Sequence, residues 1–204
     1  MWIKICGMTS AAAVAAALDA GADAIGFVFA PSVRRLTPEV ARGMAEPARG
    51  RALCVAVTQH PAHGLIEEIL TTFEPDLLQT DAEDLQAPRL AGLQLDGRCA
   101  VLPVLRVGQV LPNPMPPRLL FEGPISGSGQ ITDWSAAVSV AGRTQLVLAG
   151  GLRADNVAAA IRDVRPFGVD VSSGVESAPG VKSRALIMEF VNAARSAFEE
   201  SKRT

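Results

Sequence analysis

Short apolar runs recur along the chain, and between most of them the apolar positions switch to helical spacing. The runs at 2–6 (WIKIC), 24–29 (AIGFVF), 52–57 (ALCVAV), 76–80 (DLLQT), 100–107 (AVLPVLRV), 118–123 (RLLFEG), 144–151 (TQLVLAGG) and 167–174 (FGVDVSSG) predict eight strands. Helices are predicted over 10–20, 37–46, 64–73, 133–142, 154–164 and 182–199, with a weaker one over 83–92. Thr9 or Ser10 can cap the first and Gly21 can end it. Thr37 followed by Pro38 and Glu39 opens the second, and Asp133 can cap the helix after it. The fifth unit breaks the pattern. Its strand carries Pro103, and the stretch LPNPMPP at 111–117 cannot hold a regular helix, so this connection is expected to be a loop.

The strands read as nearly continuous apolar runs, as they do when both faces of a parallel sheet are buried. Eight strand–helix alternations in 204 residues leave roughly 25 residues per unit, a tight version of the α/β (β/α)₈ TIM barrel. Residues 1–204 are therefore expected to form a single barrel domain. An open doubly wound sheet remains the rival, since alternation alone does not distinguish the two.

Composition narrows the functional class. Hydrophobic residues make up 49% and charged residues 20%, which suits a folded globular chain, and a net charge of -2 gives nucleic acid no basic surface. No apolar stretch is long enough to span a bilayer, and the N-terminus lacks the pattern of a signal peptide. Three cysteines, Cys6, Cys54 and Cys99, have neither the number nor the spacing of a disulfide framework or a zinc site. A reducing cytoplasm and no metal are the expectation. Monomer and homodimer both stay open, with Trp2 and the 111–117 stretch as apolar surface that could serve either.

In a barrel the chemistry sits at the C-terminal strand ends. That rule gathers Cys6-Gly7, the loop APSVRR after strand two, Thr80-Asp81, Arg106, Phe121-Glu122, Gly150-Gly151 and Asp170 with SSG around one mouth. Cys6 reads either as an inert core thiol or, with neighbours that lower its pKa, as a general base. Glu122 beside Phe121 can hold a proton as a general acid if desolvated. The glycine turns Gly150-Gly151 and Ser173-Gly174 close the last two strands, where such barrels hold phosphate. Arg34 and Arg35 lie over the same mouth, and arginine grips a carboxylate through two hydrogen bonds. His60 and His63 flank Pro61 and read as surface residues.

The segments KICGMT, GADAIGFVFAPSVRRLTPEVAR, SGSGQITDW, LAGGLRADNV and RPFGVDVSSGVESAPGVK together resemble the phosphoribosylanthranilate isomerases of tryptophan biosynthesis, over nearly the whole chain. The resemblance implies one (β/α)₈ barrel that carries out an Amadori rearrangement of a phosphosugar with no cofactor. It implies Cys6 as the base and Arg34 as the binder of the substrate carboxylate. Gly150, Gly151, Ser173 and Gly174 would bind phosphate, and Asp170 would orient the substrate or stay structural. Two departures stand out. The family's acid is an aspartate at the end of strand six, where this chain has Glu122. The family often has a histidine after strand four, where this chain has Asp81, for which Arg106 next door is the expected partner. The alternative is a diverged barrel, non-catalytic or differently specific, that still binds a phosphosugar.

Overall fold

A computed structural model describes residues 1–86, 99–124 and 134–201. Eight parallel strands close into a barrel in chain order: β1 (Trp2–Cys6), β2 (Ala24–Val28), β3 (Leu53–Val57), β4 (Leu77–Asp81), β5 (Ala100–Arg106), β6 (Arg118–Glu122), β7 (Gln145–Leu148) and β8 (Gly168–Val171). Closure comes from β8 pairing with β1, Lys4 opposite Asp170. The barrel thus replaces its open-sheet rival.

The helices on its outside are α1 (Ala11–Asp19), α2 (Pro38–Ala45), α3 (His63–Glu68), α4 (Trp134–Ala141), α5 (Val157–Val164) and α6 (Arg184–Ser201). Ser10, not Thr9, caps α1 by accepting from the Ala13 amide, and Thr37 caps α2 by accepting from Val40. Thr9 instead donates to the Gly180 carbonyl at 2.6 Å, tying the β1 loop to the far end of the chain. The end of α3 unwinds into a π-helical turn over Ile69–Phe73.

Between β5 and β6 the chain runs without a helix, as the prolines require. Residues Ala82–Gln86 form a short 3₁₀ turn. The rest of the helix expected over 83–92, the Asp133 cap and the SGSGQ stretch at 126–130 lie outside the described residues. Strands seven and eight are shorter than their apolar runs suggest, because the glycines and serines that follow turn out of the ladder. A hairpin of β9 (Glu176–Ala178) and β10 (Val181–Lys182) follows β8, which hydropathy did not indicate.

Strand residues of one parity, among them Ile3, Ile5, Phe27, Leu119 and Leu146, face the helices and form the main core. Burying one such side chain contributes about 1.5–3 kcal/mol. The other parity points into the barrel, and there the character changes with height. The lower part is apolar: Leu102, Leu120 and Val147 on one side, Ala24, Val55 and Leu77 on the other, with Trp2 packed against both groups. A side chain at Gly168 would strike the Trp2 carbonyl at 2.5 Å and its ring at 3.0 Å, so this glycine admits the indole. The Arg118 guanidinium lies over the Trp2 and Phe167 rings at 5.6 and 4.5 Å. Trp2 is a floor residue rather than an exposed apolar patch. Higher up, the same inward parity carries Lys4, Cys6, Gln79, Asp81, Arg106, Glu122 and Asp170. Among the described residues no helix is long and apolar enough to cross a membrane.

Candidate active site

Cys6 ends β1 and is only 7% exposed, yet it lines the cavity at the barrel mouth. Gly7 has φ +81°, and the amides of Gly7 and Met8 both donate to the Gly26 carbonyl at 2.9 Å, which ends the strand there. A Cβ on Gly26 would lie 3.0 Å from the Cys6 sulfur and 3.2 Å from the Lys4 stem, so β2 leaves room for both. Lys4 is fully buried and donates to Asp170 at 2.8 Å. Burial pushes the Cys6 thiol up; the Lys4 and Lys182 ammonium groups pull it down and Asp170 pushes it up further, for a net rise. A general base needs neighbours that lower it. The ammonium groups do act in that direction, and desolvation exceeds them.

Arg34 leans over the mouth because Gly7 lets it. A Cβ at Gly7 would sit 2.5 Å from the Arg34 Cδ. Its guanidinium is held by a residue the sequence reading did not single out. Glu176 on β9 accepts from Arg34 Nε and Nη2, both at 2.7 Å, in the two-pronged geometry arginine favours. Lys182 on β10 donates to the same carboxylate at 2.7 Å and to the Ser172 carbonyl at 2.9 Å. Burial pushes the Glu176 carboxyl up, but the hydrogen bonds from Arg34 and Lys182, the ammonium charge and the Gly180 amide bring it down to about 2. Burial lowers Lys182, partly offset by Glu176. With all three ionised, this side of the mouth carries one excess positive charge.

The opposite wall has the reverse balance. Arg106 at the end of β5 bonds Asp81 of β4 through Nη1, and its Nη2 lies 3.1 Å from the Glu122 carboxylate of β6. Register explains the meeting: Asp81 pairs with Val104 and Arg106 with Glu122, so three strand ends present inward side chains at neighbouring positions. All three are nearly removed from solvent, with side-chain exposures of 13% for Arg106, 1% for Asp81 and 11% for Glu122. Two carboxylates and one guanidinium leave one excess negative charge.

His60 adjoins this wall. Its Nδ1 meets Asp84 at 2.9 Å and its Nε2 lies 3.4 Å from Asp81, while the side chain is 47% exposed. It is therefore engaged with two carboxylates, whereas His63 is a surface residue paired with Glu67. His60, Asp81 and Asp84 are the one trio of potential metal ligands among the described residues. Asp84 already accepts from the His60 amide, the His60 ring and Thr80, and Asp81 from Arg106, so their partners are those of an ion-pair cluster rather than of a ligand set.

The glycine turns complete the mouth. Gly150 and Gly151 have φ +92° and +66°, values that favour glycine, and Asn156 pins the turn by donating to the Gly151 carbonyl at 2.9 Å. A Cβ at Gly174 would lie 1.9 Å from the Leu152 carbonyl oxygen, so the loops after β7 and β8 touch only because this residue is glycine. Gly150, Gly151, Ser173 and Gly174 all line the cavity, with Cys6, Arg34, Arg106, Glu122 and Asp170. Asp81 contacts this set through Arg106. The residues missed from sequence are Lys4, Gln79, Glu176 and Lys182. The inward parity of Lys4 and Gln79 on their strands was a usable signal; the hairpin that delivers Glu176 and Lys182 gave none.

A closed parallel barrel whose C-terminal mouth brings together a thiol, a carboxyl group, arginines and two glycine turns has the make-up of a (β/α)₈ enzyme acting on an anionic phosphosugar. The family model described as N-(5'phosphoribosyl)anthranilate (PRA) isomerase matches residues 3–193, and the chain belongs to that family. An N-(5'-phosphoribosyl)anthranilate isomerase of Bradyrhizobium sp. (strain BTAi1) is 39% identical, the match covering 98% of this chain and 97% of the relative. The phosphoribosyl anthranilate isomerase of Thermus thermophilus superposes with a TM-score of 0.84 at 28% identity, over 96% of this chain and 99% of that one. A phosphoribosyl anthranilate isomerase in complex with reduced 1-(o-carboxyphenylamino)-1-deoxyribulose 5-phosphate superposes with a TM-score of 0.79 at 30% identity, over the same shares.

Proposed function

We infer that this chain isomerises N-(5'-phosphoribosyl)anthranilate to 1-(2-carboxyphenylamino)-1-deoxyribulose 5-phosphate, an Amadori rearrangement of tryptophan biosynthesis, with Glu122 as general acid and Cys6 as general base. The observation that carries the assignment is the opposed charge of the two walls around one cavity. On the β4–β6 wall Asp81 and Glu122 face the single guanidinium of Arg106, and a proton on Glu122 balances those three groups. The β2–β8 side has one positive charge in excess, which suits the substrate's anions.

Glu122 gives its proton to the furanose ring oxygen, the C1'–O bond breaks, and the nitrogen lone pair forms the Schiff base. Cys6 removes the proton at C2', whose electrons neutralise the iminium and leave an enolamine. Tautomerisation gives the ketone. No electron leaves the molecule, so the reaction needs no redox partner. The thiol has to lose its proton first, and Lys4 and Lys182 supply the positive charge that stabilises a thiolate. Arg34 uses two of its five N–H groups on Glu176, which leaves three toward the substrate carboxylate. The turns at Gly150-Gly151 and Ser173-Gly174 receive the phosphate, and Asp170 faces the sugar hydroxyls while fixing Lys4. We place the enzyme in the cytoplasm, in keeping with its three free cysteines.

The test is a fluorescence assay with phosphoribosylanthranilate generated in place from anthranilate and phosphoribosyl pyrophosphate by a separate transferase. Wild type should consume the fluorescent substrate. Cys6→Ser should lose about 10³-fold or more in kcat at neutral pH, because a hydroxyl is a much weaker base there. No turnover by wild type would select the diverged phosphosugar-binding barrel instead, and near-normal turnover by Cys6→Ser would remove the thiol from its role.

A further inference from the structure

Gln79 sits on the inward face of β4, two residues below Asp81, and is 7% exposed. Its backbone is locked: the Gln79 carbonyl accepts from the Thr58 amide at 2.9 Å and from the Thr58 hydroxyl at 3.1 Å, and its neighbours in register are Val57 and Leu102. Its side chain is different. It lines the cavity, and its buried Oε1 accepts no hydrogen bond from any described residue. An unsatisfied amide oxygen in such a place is destabilising, because it has given up water and gained no partner. The lower barrel interior uses leucine, valine and alanine at this parity, Leu102 beside Gln79 among them, so packing there does not need a glutamine.

We propose that Gln79 is a substrate-binding residue whose side-chain oxygen accepts a hydrogen bond from an N–H or O–H donor of the substrate's aminosugar portion. This rests on the isomerase reading above and deepens it. Donors of that kind are what the substrate offers at mid-cavity height, between the phosphate on the β7 and β8 turns and the carboxylate at Arg34: the anilino N–H on C1' and the ribose hydroxyls. If the donor is the anilino N–H, its acidity rises when the ring opens to the protonated Schiff base, and the hydrogen bond strengthens at the step where it accelerates the reaction.

The test is Gln79→Met, which keeps the length and volume and removes the polar atoms, with Gln79→Glu beside it. Kinetics and melting temperature are measured together, and binding is followed with reduced 1-(o-carboxyphenylamino)-1-deoxyribulose 5-phosphate as probe. The expected result for Gln79→Met is a loss of about tenfold in kcat/KM or in probe affinity, with a melting temperature equal to or above wild type, because the free protein loses an unsatisfied polar atom. Gln79→Glu retains an acceptor oxygen and should keep more probe affinity than Gln79→Met. Wild-type kinetics in Gln79→Met would overturn the inference, and so would an activity loss matched by a lower melting temperature, which marks a packing role. If wild type itself neither turns over nor binds the probe, the isomerase reading fails and this inference with it; an active wild type beside an unaffected variant sinks this inference alone.

Discussion

On the β2–β8 side of the mouth, Arg34 and Lys182 share the single carboxylate of Glu176; on the β4–β6 side, Asp81 and Glu122 share the single guanidinium of Arg106. The parts are the same and the ratio is inverted. Each cluster is internally paired, so neither leaves a lone buried ion, which would be strongly unfavourable. What differs is the charge left over. A surplus cation beside glycine turns attracts anions. On the other side the proposed mechanism places the proton donor, Glu122. The comparison teaches that two clusters of acidic and basic side chains on one mouth can differ in net charge through the stoichiometry of their ion pairs, which is the difference the proposed binding and acid roles use.

The sharpest way to break this contrast is to remove the proton from the acid side. Glu122→Gln keeps the shape and cannot donate a carboxylic proton, and kcat should fall by about 10²–10⁴-fold with affinity for the reduced product little changed. Equal kcat would hand the acid role to another group, with Asp81 next in line. On the binding side, Arg34→Met should raise KM by about 10–100-fold, the scale of lost charge-assisted hydrogen bonds, with a smaller change in kcat. The fold should survive, because Lys182 and the Gly180 amide still hold Glu176. An unchanged KM would mean the substrate carboxylate goes elsewhere.

The smallest effect is on stability. The Glu176 carboxyl is held at about 2, below its ordinary 4.5, so its contribution is present above about pH 4.5 and is lost as pH falls toward 2. The melting temperature of Glu176→Gln should lie about 5 °C below wild type at neutral pH, and the gap should close across that acid window. A gap that stays constant down to pH 2 would show that Glu176 stabilises by packing and not by charge.

Much of this was legible in the chain. The period of the apolar runs marks the strands and helices, because burial on both faces of a parallel sheet forces continuous apolar sequence. The prolines of 111–117 forbid a helix wherever they are placed. Cys6, Arg34, Glu122 and the turn residues Gly150, Gly151, Ser173 and Gly174 could be placed at strand ends, since a barrel maps those ends to one face. Glu176 and Lys182 could not, because they lie on a short hairpin that shows only once the loop after β8 folds over the mouth. Trp2 looked like surface because it stands at the terminus, and it is floor because Gly168 opens the opposite strand. The net rise at Cys6 was not legible either, because the extent of its burial and the approach of Lys182 exist only in the fold.

The sequence by itself determined the eight barrel strands, six of the helices, the Thr37 cap, and which residues end strands, all of which depend on neighbours a few positions away. The tertiary structure alone decided which side chains share a charge. Asp81, Arg106 and Glu122 are up to 41 residues apart and meet through strand register; Arg34 and Glu176 are 142 apart and meet through barrel closure. Net charge in a buried cluster is a property of that meeting, because electrostatic coupling depends on distance and desolvation, neither of which is written in chain order.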